Sequence, residues 1–212
     1  MDTNELINSL AADTRQPSAS LSSVWWSAVV VAVVVAAAVF FATLGVRPDI
    51  AAAAETPRFL AKFVMMLTLA AGTFGALRAL SRPEGNWRKS LPLLTAAPTL
   101  LVAAVVLELL TVPPEAWTDR MIGTNNVYCL MFIMMIGVGP LSIFLLPLRR
   151  GAPSSPGIAG AVAGLLAGGI AATIYAAHCT DDSPLFIATW YLIAIAGLAA
   201  FGAVAANRLA RW

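Results

Sequence analysis

Charge is scarce in this chain. Asp, Glu, Lys and Arg make up 11% of its 212 residues, while 59% are hydrophobic; soluble proteins carry about a quarter charged residues, so a chain soluble along its length is excluded. Cysteine and histidine are scarcer still, at two and one. The cysteines, Cys129 and Cys179, stand 50 positions apart, so there is no Cys-x-x-Cys pair of the kind a thiol oxidoreductase would show. Long polar stretches are absent too. The segments between hydrophobic runs are short, which leaves no room for a soluble catalytic domain on either side and argues against an enzyme.

What is present is a series of apolar runs long enough to cross a hydrocarbon layer, for which about 17–25 residues are needed. They cover Trp25–Gly45, Phe59–Leu80, Leu91–Val112, Asn126–Leu146, Gly157–Ala177 and Leu185–Ala206. The Val and Ala run in the first would read as strand in water. Its length and lack of alternation favour a helix, whose backbone hydrogen bonds are satisfied internally. It is not a cleaved signal peptide, because the residues before it are polar and hold one Arg against three acids where a short basic start is required. The expected fold is all-α: an integral membrane bundle of six transmembrane helices.

Orientation follows from the basic residues. With the N-terminus inside, nine fall on the cytoplasmic side (Arg15, Arg78, Arg82, Arg88, Lys89, Arg149, Arg150, Arg208, Arg211) and four outside (Arg47, Arg58, Lys62, Arg120). That split satisfies the positive-inside rule and places both termini in the cytoplasm. The net charge of +2 is then a product of topology, with no patch for direct nucleic-acid binding. Residues 1–22 form a cytoplasmic segment and tether, and 23–212 the transmembrane domain with outer loops at 46–58, 113–125 and 178–184. Gly160, Gly164 and Gly168 form a four-residue-spaced stripe suited to close helix packing, and Gly72, Gly75, Gly137 and Gly139 admit the same reading.

The N-terminal segment has its own pattern. Asp2 followed by Glu5 resembles a capping box, after which Leu6, Ile7 and Leu10 fall on one helical face. So short a helix is marginal in water and orders against something. An anionic bilayer is a poor candidate, since no Lys or Arg precedes Arg15 and membrane-surface helices are rich in both. Glu5, Leu6, Ile7 and Leu10 are therefore expected to dock a partner that receives a helix in a groove, on a flexible tether running through Pro17 to Ser23.

In this topology both cysteines face the outer compartment, which for a bacterial inner membrane is the oxidising periplasm. His178 precedes Cys179, and Asp181 and Asp182 follow. Three readings of this cluster stand side by side. Cys129, His178, Cys179, Asp181 and Asp182 form a candidate ligand set for a regulatory copper, zinc or cadmium ion, with no obligatory cofactor. The two thiols are equally candidates for oxidation through a sulfenic acid to a disulfide. Or they are structural. Met121, Met131, Met134 and Met135 add sulfur to the region but read as packing. Lys62 and Glu108 each lie about one turn inside an outer end, where ionisable groups pair or mark function, and an ion pair between them is expected to join the second and third helices.

Several of these features together resemble one family. The opening Thr3-Asn4-Glu5-Leu6-Ile7-Asn8-Ser9-Leu10-Ala11-Ala12-Asp13, the six spans, and His178-Cys179-Thr180-Asp181-Asp182-Ser183-Pro184-Leu185-Phe186 followed by Trp190-Tyr191 are similar to the NrsF family of membrane anti-sigma factors. The resemblance implies a multi-pass protein of the bacterial inner membrane that sequesters an extracytoplasmic-function sigma factor. It also implies release of that factor under periplasmic heavy-metal or oxidative stress, sensed through a cysteine pair that maps onto Cys129 and Cys179. The cytoplasmic zinc-binding fold of some other anti-sigma factors is missing. The alternative is a small transporter or channel, for instance for metal ions, which would place ligands near the bilayer midplane.

Overall fold

The computed structural model describes residues 2–5, 20–82, 84–151 and 153–209. Six helices in it are long and apolar enough to cross a membrane: α1 (Leu21–Thr43), α2 (Pro57–Leu80), α3 (Leu91–Thr111), α4 (Asn126–Arg150), α5 (Pro156–Tyr175) and α6 (Pro184–Leu209). No strand occurs among the described residues. Residues 3–5 are helical and exposed; Leu6, Ile7 and Leu10, expected to continue that helix, lie outside the described residues.

Local chemistry sets the helix starts. Ser20, Thr56 and Ser183 each accept a hydrogen bond from a backbone N–H of the first turn of α1, α2 and α6, satisfying donors with no partner inside the helix. Pro57, Pro156 and Pro184 occupy first-turn positions, where the missing N–H costs nothing. At its far end α1 stops at Gly45, whose φ of +72° suits a residue without a Cβ.

Side-chain size decides which faces turn inward. In α1 the buried positions are Trp25, Ala28, Ala32, Ala36 and Phe40, a single stripe at helical spacing, whereas Val30, Val31, Val33, Val34 and Phe41 point outward. Between the buried aromatics Trp25 and Phe40, small residues thus meet the bundle and branched ones face outward. This explains how a Val-rich run adopts a helix with almost no amphipathic pattern.

The bundle is centred on α5, which packs on α6, α2, α4 and α1. The expected glycine stripe makes this possible: a Cβ on Gly160 would strike the Gly202 carbonyl of α6, and one on Gly164 the Leu198 carbonyl. Gly72 likewise lets α2 reach the backbone of α3 at Leu93, where an added Cβ would lie 2.9 Å from the carbonyl carbon. Helix α3 is peripheral, packing mainly on α2. The connections opposite the start of α1 are more structured than linkers need be: Ile50–Ala53 and Trp117–Ile122 are short helices, and the Trp117 indole donates to the Val112 carbonyl at 3.0 Å.

Candidate functional site

The polar chemistry of the bundle gathers at the end opposite the described chain ends, around residues 178–184. This segment leaves α5 through a turn in which the His178 and Cys179 amides both donate to the Tyr175 carbonyl, at 2.9 and 3.1 Å. His178 Nδ1 lies 2.9 Å from the Gly45 carbonyl. A carbonyl only accepts, so Nδ1 carries the proton there. The Arg47 amide donates to the Ala177 carbonyl at 3.1 Å, fixing the exit of α1 beside the exit of α5.

Two cations hold the segment from one side. Arg47, buried to 8% exposure, donates to Asp49 twice at 2.6 Å, to Asp182 at 3.2 Å and to the Cys179 carbonyl at 3.2 Å. The hydrogen bonds that Arg47 donates to Asp49, with help from Asp182, raise the Arg47 pKa against the opposing effect of burial, and Arg47 in turn holds the Asp49 carboxyl below its ordinary range. Lys62, fully buried in α2, donates to the Cys179 carbonyl at 3.0 Å and the Asp181 carbonyl at 3.4 Å and pairs with Asp182 at 2.5 Å. Both cations lie over the Phe59 ring, at 5.8 and 5.5 Å from its centroid. A buried ammonium requires this many partners.

Two carboxylates hold it from the other side by capping helices they do not belong to. Asp181 accepts from the Thr124 amide at 3.1 Å and from the Asn125 amide at 2.9 Å, directly before α4, and from the Asn125 side chain at 3.1 Å. A carboxylate at a helix start is favoured by the unpaired N–H groups and the helix dipole. Glu108, buried in α3, accepts from the Ser183 hydroxyl at 2.7 Å and the Leu185 amide at 3.2 Å at the start of α6. Its other oxygen pairs with Arg120 at 2.8 Å and Arg58 at 3.9 Å.

These partners correct the expected Lys62–Glu108 pair. Both groups reach the 179–184 segment, but from different directions: Lys62 meets Asp182 and Glu108 meets Ser183, with Arg120 and Arg58 supplying the charge Glu108 needs. Similar depth in the membrane does not specify which way a side chain faces around its helix.

Cys129, one turn into α4, and Cys179 are both fully buried and unbridged, and both belong to the same buried core. Burial raises the pKa of the Cys179 thiol, and nearby Lys62 opposes that rise. The predicted five-residue metal set is not assembled: among the described residues no three His, Cys, Asp or Glu side chains converge on a common point. Asp181 is committed to the start of α4, Asp182 to Arg47 and Lys62, and His178 to Gly45. The methionines do not join either, since Met131 and Met135 face outward.

Several contributors escape sequence reasoning. In the sequence Arg47 and Arg120 figure only in the charge count, and nothing singles out Asn125, Gly123 or the capping role of Ser183. Gly123 has φ +60°, and a Cβ there would lie 2.5 Å from the Phe186 ring and 2.9 Å from the Asp181 carboxyl carbon, so the Asp181 cap depends on it. Tyr191 is also new: α6 opens with a π turn over Ile187–Tyr191 that sets this side chain, fully buried, against Tyr175 at 6.0 Å between ring centroids. Such turns recur at functional sites. In retrospect the Ser-Pro start followed by Trp190-Tyr191 was the available signal.

The geometry defines a six-helix membrane bundle with two buried thiols beneath one loop, and that loop is bonded to the ends of the surrounding helices. Comparison with known proteins specifies the kind. Residues 10–212 match the family described as NrsF, negative regulator of sigma F. The chain is 32% identical to a probable anti-sigma-F factor NrsF of Azospira oryzae and 30% identical to the anti-sigma-F factor NrsF of Caulobacter vibrioides, each over the full length of both chains. The chain belongs to the NrsF family. No solved structure matches it.

Proposed function

We propose that this protein is an inner-membrane anti-sigma factor that holds an extracytoplasmic-function sigma factor at the cytoplasmic face and releases it when an oxidant or a thiophilic heavy metal reacts with Cys129 and Cys179 at the periplasmic face. The observation that carries this reading is the bonding of the Cys179 loop. Joining the sulfurs displaces residues 179–184, and that segment holds Asp181 on α4, Ser183 against Glu108 of α3, and Asp182 on Lys62 of α2 and on Arg47 beside α1. Disulfide formation takes two protons and two electrons from the thiols, and the oxidant accepts both electrons.

The segment bearing Glu5, Leu6, Ile7 and Leu10 is the docking element, joined through the tether to α1, whose other end leads to Arg47. Driving such a switch from 1:99 to 99:1 takes about 5.5 kcal/mol of differential stabilisation, within the range of a covalent bond or thiolate coordination. Transport is disfavoured, because the buried ionisable groups cluster at one end of the bundle rather than at mid-depth. Deleting residues 2–13 is expected to leave a membrane-inserted protein that no longer represses sigma-dependent transcription. Replacing both cysteines by Ser is expected to preserve repression and abolish induction by oxidant or metal. Normal induction in the double variant would rule out the thiol mechanism, and repression by the truncation would rule out N-terminal docking.

A further inference from the structure

Helices α2 and α3 touch closely at one end and part at the other. At the end away from the Cys179 loop, Gly72 brings the backbone of α2 against that of α3 at Leu93. Toward the loop the facing residues are small, Ala61 on α2 and Ala103 and Ala104 on α3, and two adjoining cavities of about 370 and 340 Å³ share Ala61, Ala104 and Leu107 in their walls. Together they form a groove with Met65 buried at its floor and Val64, Leu100 and Leu107 exposed along its rims. Pro98 interrupts α3 between the close contact and the groove, and proline is where helices bend. Apolar walls that face a void forfeit dispersion contacts, so in a bilayer hydrocarbon enters this groove.

Its loop end is polar. Arg58, in the first turn of α2 and about half exposed, lines the groove and also a cavity of about 600 Å³ in front of residues 180–183, where Arg120, Thr124 and Thr180 join it. The Arg58 ion pair with Glu108 is 3.9 Å long, too long for a hydrogen bond, and the same Glu108 oxygen already accepts from Arg120 at 2.8 Å. The carboxylates on this cavity are Asp119, exposed at its rim, and Asp181 and Asp182, which are bonded to the start of α4 and to Lys62 and Arg47. Arg58 thus presents its donors where an apolar groove opens into a polar cavity.

We propose that this groove holds one glycerophospholipid from the leaflet at the loop end, with an acyl chain along Ala61, Met65, Ala104 and Leu107 and its phosphodiester on Arg58. A guanidinium presents paired donors that match phosphate oxygens, and basic pockets between membrane helices hold lipid head groups. A helix from a second copy is about 10 Å across, too broad for a recess between two helices in contact at Gly72. The lipid supports α3, which packs mainly on α2, and borders Glu108 and Pro184 at the start of α6. Such binding requires neither a particular membrane orientation nor any reaction at the cysteines.

The test reconstitutes the full-length protein in vesicles of phosphatidylethanolamine and phosphatidylglycerol with a trace of phosphatidylglycerol bearing a diazirine in its acyl chain. After irradiation the labelled residues are mapped by mass spectrometry. Labelling is expected to be severalfold higher at Ala61, Val64, Ala103 and Leu107 than at Val34 and Phe41 on the exposed face of α1, which ordinary boundary lipid touches equally well. A diacylglycerol with the same diazirine and no phosphate is expected to label the groove about fivefold less, the weight of one basic side chain on an anionic lipid. Arg58→Gln is expected to bring the phosphatidylglycerol signal down toward that level. Equal labelling of groove and α1 means boundary lipid only and overturns the proposal, as does equal labelling by the two probes. Cross-links between two protein chains at the groove in place of lipid assign it to a second copy and overturn it too. The comparison of probes uses the unsubstituted protein, so it decides the matter even if Arg58→Gln does not fold.

Discussion

The two ends of the bundle are built on different principles. At the loop end, Arg47, Lys62, Glu108 and Asp181 converge on residues 179–184 through charge-assisted contacts. At the end where α1 begins, the cross-links among the described residues are fewer: the Trp25 indole donates to Ser81 at 3.1 Å, and Arg78 donates to Ser22 at 2.9 Å while lying over the Trp26 and Phe74 rings. A dense ionic cluster has a defined geometry that is costly to distort, whereas a few bonds yield easily. The contrast suits a protein in which one end registers a chemical change and the other transmits it as a small displacement of α1.

Breaking the loop end should therefore cost most. Lys62→Met leaves Asp182 with Arg47 as its one remaining cation and takes a donor from the Cys179 and Asp181 carbonyls, and the loss is expected to be about 3–5 kcal/mol, read as a lower thermal midpoint in detergent. Gly164→Leu drives a side chain into the Leu198 carbonyl of α6 and is expected to cost about 3 kcal/mol, detectable by the same measurement. Asp181→Ala removes the borrowed cap of α4 for about 1–2 kcal/mol and should expose Cys129 to alkylation. At the opposite end Trp25→Phe loses one hydrogen bond, about 1 kcal/mol; a drop as large as that of Lys62→Met would erase the contrast between the two ends.

The smallest effect concerns Asp49. Its carboxyl is held below the usual value of 3.8 by Arg47, so its contribution is present above that pH and fades as the pH falls through the lowered folded-state value. Asp49→Asn should leave stability near neutrality slightly reduced and remove that acid-dependent component from a pH series of unfolding midpoints.

The sequence made the six helices legible because length and apolarity fix a membrane span without tertiary information. The stripe at Gly160, Gly164 and Gly168 located a close helix interface for the same reason, being a local requirement. The loop around Cys179 was visible through its residue types. Its wiring was not. Lys62 and Glu108 were assigned to each other from depth alone, while their actual partners depend on the azimuth of each helix. His178, Asp181 and Asp182 were read as ligands since their types are those of ligands, yet each is committed to a neighbouring helix end or cation. The π turn that buries Tyr191 leaves no periodic trace over five residues.

The central claim is that the state of the Cys129–Cys179 pair governs retention of the sigma factor. It is tested most directly by placing the full-length protein in vesicles with its fluorescently labelled sigma factor, adding a thiol oxidant, and following free thiols and bound sigma factor in the same sample. The account predicts that release parallels the loss of two thiols per chain and reverses on reduction. Release with both thiols intact, or full thiol loss with the sigma factor still bound, would contradict it.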